Sequence, residues 1–134
     1  MMINLSKIDR YSLRLEVDKE GCGLMLQAYQ DALQHQPKHL PVTLDKRVFT
    51  RSLGSTEAEL VVVQSEEADK LVIEDSLVML YLDAECIVYG IERFTEGLSD
   101  NVIFPSELCD VSLKEASVTI YCLLLNTGMP LPLA

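Results

Sequence analysis

The chain has 134 residues, 49% of them hydrophobic, enough for one domain with a core that needs no metal or disulfide support. Its 21 acidic side chains against 11 basic ones give a formal net charge of −10 at pH 7, which argues against nucleic acid or an anionic membrane as a direct partner and favours a cationic protein. Met1–Arg10 lacks the apolar stretch of a signal peptide and no apolar run approaches a membrane span. Cys22, Cys86, Cys109 and Cys122 are scattered, without the spacing of a zinc site or a secreted disulfide scaffold. These features predict a cytoplasmic protein with reduced thiols.

In chain order, Tyr11–Val17 alternates apolar Leu13, Leu15 and Val17 with polar residues and predicts a strand with one wet face. Asp18 then caps a helix over Lys19–Gln34, with Cys22, Met25, Leu26, Tyr29 and Leu33 on its apolar stripe and Gln27, Gln30, Asp31 and Gln34 opposite; Pro37 prevents continuation. Leu40–Leu44 and Val48–Leu53 suggest a hairpin around Asp45-Lys46-Arg47, its first strand at a sheet edge because Pro41 has no N–H to donate. Glu57–Gln64 is β-branched and is expected to run antiparallel to Leu71–Leu82 through the acidic turn Ser65–Lys70.

Leu77–Leu82 is apolar throughout and predicts a central strand covered on both faces. Asp83 is the next helix cap, followed by a helix over Ala84–Glu96 with Ile87, Ile91 and Phe94 at helical spacing, Val88 beside them and Gly97 as its stop. Val102–Phe104 reads as a short extended piece and Ser106–Val111 as a turn or one helical turn. Ser117–Leu125 is the last strand, with Val118, Ile120, Cys122 and Leu124 on one face, and Asn126–Ala134 reads as an extended tail. Val17-Asp18 and Leu82-Asp83 open two similar strand–aspartate–helix units, the sign of a pseudo-repeat. The expected fold is a single α+β domain over residues 1–134, a mixed or largely antiparallel sheet of about five strands carrying two helices. Leu77, Met79, Tyr81, Ile87, Ile91, Phe94, Ile120 and Cys122 are its expected core.

Chemistry-bearing residues mostly read as structural. His35 and His39 are separated by Pro37, which prevents an i, i+4 zinc pair. Gly21-Cys22-Gly23 lacks the third glycine of a dinucleotide loop, whose place Leu26 holds. Cys86 lies in a first helical turn, where backbone N–H groups lower a thiol pKa, but no histidine base is near it in sequence. Glu66-Glu67 and Glu74-Asp75 read as solvated turn charges without cation-loop spacing. No catalytic residue, cofactor or metal site is expected.

Charge position is more informative. Glu57 to Glu115 carries fifteen acidic residues against Lys70, Arg93 and Lys114, whereas residues 1–56 are slightly basic. Such asymmetry either keeps the chain soluble or steers a cationic partner. The pattern of Tyr11–Leu33, Glu57–Gln64, Leu77–Phe94 and Val118–Leu125 resembles the immunity proteins of bacterial contact-dependent inhibition and other polymorphic toxin systems. That resemblance implies a protein without a catalytic site that binds and neutralises one toxin, often a basic nuclease. Glu66, Glu67, Glu74 and Asp75 are the expected partner-binding residues, taken as one patch around the strand pair that leads into Leu77–Leu82. The alternatives are a small cytosolic enzyme or ligand-binding domain using Cys86 or Glu74-Asp75, and an acidic adaptor subunit of a larger complex.

Overall fold

The computed structural model describes residues 1–45, 55–100 and 106–125. The elements fall into two runs of identical order. The first is β1 (Ile3–Asp9), β2 (Ser12–Val17), α1 (Lys19–Leu33), β3 (His39–Asp45) and β4 (Ser55–Gln64). The second is β5 (Lys70–Glu74), β6 (Leu77–Leu82), α2 (Ala84–Asp100), β7 (Ser106–Leu113) and β8 (Ala116–Leu124). All eight strands close into one barrel in the order β1-β2-β8-β7-β5-β6-β4-β3.

The expected five-stranded α+β sheet is therefore wrong: the fold is a closed, mixed eight-stranded barrel with two helices. Closure comes from two parallel seams. At one, β2 runs beside β8 from Ser12↔Thr119 to Val17↔Leu124; at the other, β6 runs beside β4 from Leu77↔Glu59 to Leu82↔Gln64. No edge remains to be protected. Glu57–Gln64 is thus parallel to Leu77–Leu82, not antiparallel, and β5 is the antiparallel partner of β6. Leu40–Leu44 lies between β1 and β4 and is no edge; its pairing with β1 covers Thr43 and Leu44, past Pro41. Val48–Leu53, Val102–Phe104 and Asn126–Ala134 lie outside the described residues.

The two runs are related by a pseudo-twofold that extends to single hydrogen bonds. Leu125 N–H donates to Val17 O at 2.7 Å at one seam, and Ser65 N–H to Leu82 O at 2.8 Å at the other. Thr119 N–H donates to Tyr11 O and Glu59 N–H to Ser76 O in the same correspondence. At one constant spacing Asp18 answers to Asp83, Cys22 to Ile87, Met25 to Gly90, Tyr29 to Phe94 and Ala32 to Gly97. Tyr29 and Phe94 meet edge to face, centroids 5.1 Å apart, where α1 packs along α2. The pseudo-repeat read from two aspartates thus embraces hairpin, helix and hairpin in each half.

Strand directions set the two ends apart. The β1–β2, β5–β6 and β7–β8 turns and the paired Asp45 and Ser55 ends of β3 and β4 lie at one end of the barrel, while both helices and the β4–β5 loop lie at the other. The hairpin end needs unusual backbone: Lys114 (φ 49°) and Glu115 (φ 69°) form a two-residue turn with both residues left-handed, the conformation that matches strand twist. At the helical end α1 finishes with His35 at φ 58°, a place commonly held by glycine.

Inside, alternate strand residues fill the barrel: Leu13, Leu15 and Val17 from β2, and Val78, Leu80 and Leu82 from β6, are buried. Only one face of each strand looks inward, so Leu77, Met79 and Tyr81 are half-buried on the outer face, contrary to the expectation of a core role. Ile87, Phe94, Ile120 and Cys122 are buried as expected, whereas Ile91 is half-buried. α2 does not stop at Gly97, which is buried within it, and Asp31, expected on the wet face of α1, is 7% exposed and held by Gln27 and Lys38. Met25 of α1 enters the barrel end, leaving an enclosed cavity of about 20 Å³ among Leu5, Leu15, Leu60, Leu80 and Ile120. That is room for one water-sized sphere in wholly apolar surroundings, not for a ligand. No helix among the described residues is long and apolar enough to cross a membrane.

Candidate functional site

The helical end holds the richest polar arrangement, and it begins at the cap of α2. Asp83 Oδ1 accepts the Cys86 N–H at 2.8 Å, the same bond that Asp18 Oδ1 makes with Gly21 N–H at 2.7 Å in the first half. The second half adds a partner from the β4–β5 loop. Asp69 Oδ1 accepts the Asp83 N–H at 2.8 Å and Asp69 Oδ2 accepts the Cys86 S–H at 3.0 Å. One ligand atom each from Asp69, Asp83 and Cys86 thereby lies within 4.8 Å of the others, all three residues half-buried.

Burial, then the hydrogen bond and charge of Asp69, then Asp83, push the Cys86 thiol up to about 12. The helix start does not activate it; burial and two carboxylates outweigh the backbone N–H groups, which disfavours a nucleophilic Cys86. Burial likewise raises Cys22 to about 11 and Cys122 to about 12, and raises Cys109. All four cysteines are free thiols. Tyr29 is fully buried, its hydroxyl has no hydrogen-bond partner, and burial followed by the charges of Cys109, Cys122, Cys86 and Asp69 raises its pKa far above the usual phenol value.

A second feature lies on the outer face of α2. Val88 and Tyr89 are 43% and 38% exposed, and with Ala84, Glu85 and Glu92 they line an open depression of about 360 Å³. Arg93 Nε donates to the Tyr89 hydroxyl at 3.0 Å and its guanidinium sits 5.1 Å from the ring centroid, while Nη1 donates to Glu96 at 3.2 Å. The Tyr89 hydrogen bond and the nearby Tyr89, Glu96 and Glu92 raise the Arg93 pKa against its partial desolvation. Tyr89 is thus a fixed aromatic surface with Glu85 and Glu92 at its rim, features that α2 gains by spacing 85, 88/89 and 92 along one face.

The four expected partner-binding residues do not form one patch. Glu66 and Glu67 are exposed in the β4–β5 loop, whose flanks bond to Leu82 and Asp83, so they stand beside the start of α2. Glu74 and Asp75 are exposed at the opposite, hairpin end, the length of β5 away, about 13 Å at the usual rise per residue. The sequence reading makes them one patch because it takes Leu71–Leu82 as a single strand entered through the Ser65–Lys70 turn, whereas Glu74 and Asp75 belong to a separate turn between β5 and β6. The pattern also sets Val88 beside the apolar stripe of α2, whereas it is exposed, and it gives no sign of the exposed Tyr89 or of the approach of Asp69 to Cys86, which only folding brings about. Neither histidine joins this arrangement; His39 Nδ1 lies 2.7 Å from Glu59 Oε2 across β3 and β4.

Comparison of the chain with models of known protein families and with curated proteins gives no match.

Proposed function

We propose that the protein binds a cationic protein through the helical end of the barrel, in the manner of an immunity protein that neutralises a basic toxin. The observation that carries this reading is the Val88–Tyr89 pair on α2, exposed, fixed by Arg93, and rimmed by Glu85 and Glu92 beside the Glu66-Glu67 loop. A large aromatic with an apolar neighbour supplies the desolvated centre of an interface, and surrounding carboxylates select partner Lys and Arg side chains. Binding, not bond-making, is the role assigned to these residues.

The test is complex formation with the product of the neighbouring toxin-like reading frame, with toxin activity as the readout. Tyr89→Ala should weaken binding about tenfold or more, the loss typical of a central aromatic, while leaving the thermal midpoint close to that of the parent. Unchanged affinity of both Tyr89→Ala and Val88→Ala would remove this face from the interface. Failure to bind any cationic neighbouring gene product would remove the immunity reading itself.

A further inference from the structure

We infer that the β1–β2 hairpin is a second interaction surface and that its occupant is the α2 face of another copy of this chain, giving head-to-tail self-association. The hairpin itself creates the surface. A bulge between Lys7 and Asp9 takes Ile8 out of the ladder with β2. Lys7, Ile8, Asp9, Arg10 and Tyr11 are all exposed, Ile8 at 49% and Tyr11 at 59%, and the Arg10 guanidinium lies 5.9 Å from the Tyr11 ring centroid. Ile8, Ser12, Arg14, Tyr121 and Leu123 line an open depression of about 310 Å³ on the barrel wall, with Asp9 at its rim. Asp9 Oδ1 accepts the Tyr11 N–H at 2.9 Å and Arg14 Nε lies 3.5 Å from Glu16 Oε1, but among the described residues no carboxylate pairs with Lys7 or Arg10.

The pseudo-twofold shows that the fold itself does not call for this surface. At the equivalent turn of the second half Asp75 and Ser76 stand where the first has Arg10 and Tyr11, and the β5–β6 ladder runs without a bulge, so Ile8 has no counterpart. On the helices the difference is reversed: α2 carries Val88, Tyr89 and Glu92 where α1 has Gly23, Leu24 and Gln27. Each half has thus diverged toward one of two apolar, aromatic surfaces of opposite charge.

The two surfaces are chemically complementary. Ile8 and Tyr11 cover Val88 and Tyr89 while Lys7 and Arg10 meet Glu85 and Glu92, so apolar groups leave water together and opposite charges fix the orientation. They lie at opposite ends of the barrel, separated by six-residue strands such as β2 and β6, a span on the order of 20 Å, so they meet only between copies. Because different patches join successive copies, the contact is heterologous and propagates as a ring or an open chain instead of closing as a twofold dimer. It also covers the α2 face that the proposed cationic partner needs, so the two contacts compete.

Sedimentation of the protein alone tests this without any toxin, so its failure and that of the proposed function are distinguishable. The weight-average mass should exceed the monomer's 15.0 kDa and rise with concentration toward the millimolar range. Tyr11→Ser, the change to the side chain found at the equivalent turn, should weaken association at least tenfold. Lys7→Glu/Arg10→Glu should leave only monomer. Glu85→Lys/Glu92→Lys should do the same, although it lowers the net negative charge of the chain and with it the general repulsion between copies. An equimolar mixture of these two variants should associate again, since each presents to the other the charge that its own copies lack. A parent that stays monomeric to millimolar concentration would overturn the assignment and leave the hairpin to a different acidic protein. Glu85→Lys/Glu92→Lys associating as the parent does, or a mixture that stays monomeric while both variants keep the parent's circular dichroism, would overturn it equally.

Discussion

The two halves of the barrel share seam registers, helix caps and even paired backbone hydrogen bonds, yet only the second has a crowded polar helix start and an exposed aromatic on its helix. Gly21 stands where the second half has Cys86, and Gly23 where it has Val88. The difference teaches that the shared framework is set by inward-facing apolar residues and two aspartates, while outer residues at the same positions are free to diverge. Pseudo-equivalent residues therefore make internal controls for one another.

The contact between the halves should show the largest effects. Phe94 is completely buried against Tyr29, so Phe94→Ala should cost about 3–5 kcal/mol in urea melts, whereas half-buried Ile91→Ala should cost clearly less. Equal losses would mean that the Tyr29–Phe94 contact is not the centre of the helix pair. Helical glycines separate next. A Cβ on Gly90 would lie 2.1 Å from Tyr29 Cε2, so Gly90→Ala should destabilise by roughly 1–3 kcal/mol, while Gly23 has nothing within 4 Å and Gly23→Ala should stabilise by up to about 1 kcal/mol through helix propensity. Thermal or chemical melts of the two variants should therefore shift in opposite directions.

The caps should differ by less. Asp18→Ala should cost about 1 kcal/mol by loss of the Gly21 N–H bond. Burial opposes the Asp18 carboxylate, but backbone hydrogen bonds from Gly21 and Met2 and the adjacent α-ammonium hold its pKa below the ordinary value. A lowered folded pKa makes this stabilisation present above the unfolded value and lost as the pH falls through the folded one. The gap between parent and Asp18→Ala should accordingly close below about pH 4. Cys86 offers the smallest, purely chemical contrast. With its thiol pushed up to about 12, alkylation of the native protein near pH 8 should be on the order of a hundredfold or more slower than that of a free cysteine, as followed by mass spectrometry. Rapid modification without unfolding would revive a nucleophilic role.

Much of this framework is visible in sequence where one residue decides one element. Asp18 and Asp83 mark both helix starts, and the alternation of Leu13, Leu15 and Val17 marks β2. β7 is hidden because a bulge between Glu107 and Cys109 turns Leu108 and Cys109, adjacent in the chain, both into the interior, which breaks the period of two. β1 is hidden because only Ile3 and Leu5 of its seven residues are buried. Closure is invisible for a different reason: the parallel seams join residues far apart in the chain, and apolar outer residues such as Leu77, Met79 and Tyr81 imitate a strand covered on both faces. Of the candidate site, the acidic loop was legible as exposed charge, but its neighbours Val88 and Tyr89 were not, because an apolar residue on an amphipathic helix reads as core until the helix is rotated into place.

The central claim is that the helical end, and not net charge, meets the partner, and the two acidic pairs allow a matched measurement. Glu66→Gln/Glu67→Gln and Glu74→Gln/Asp75→Asn remove the same charge from opposite ends of the barrel, the Asn retaining tolerance of φ 52° at Asp75. Association rates with the cationic partner should be measured by stopped flow across a range of salt concentrations. Loss of Glu66 and Glu67 should slow association about three- to tenfold at low salt and flatten its salt dependence, while loss of Glu74 and Asp75 should leave both nearly unchanged. Equal slowing by the two variants, or a larger effect at the hairpin end, would contradict the assignment.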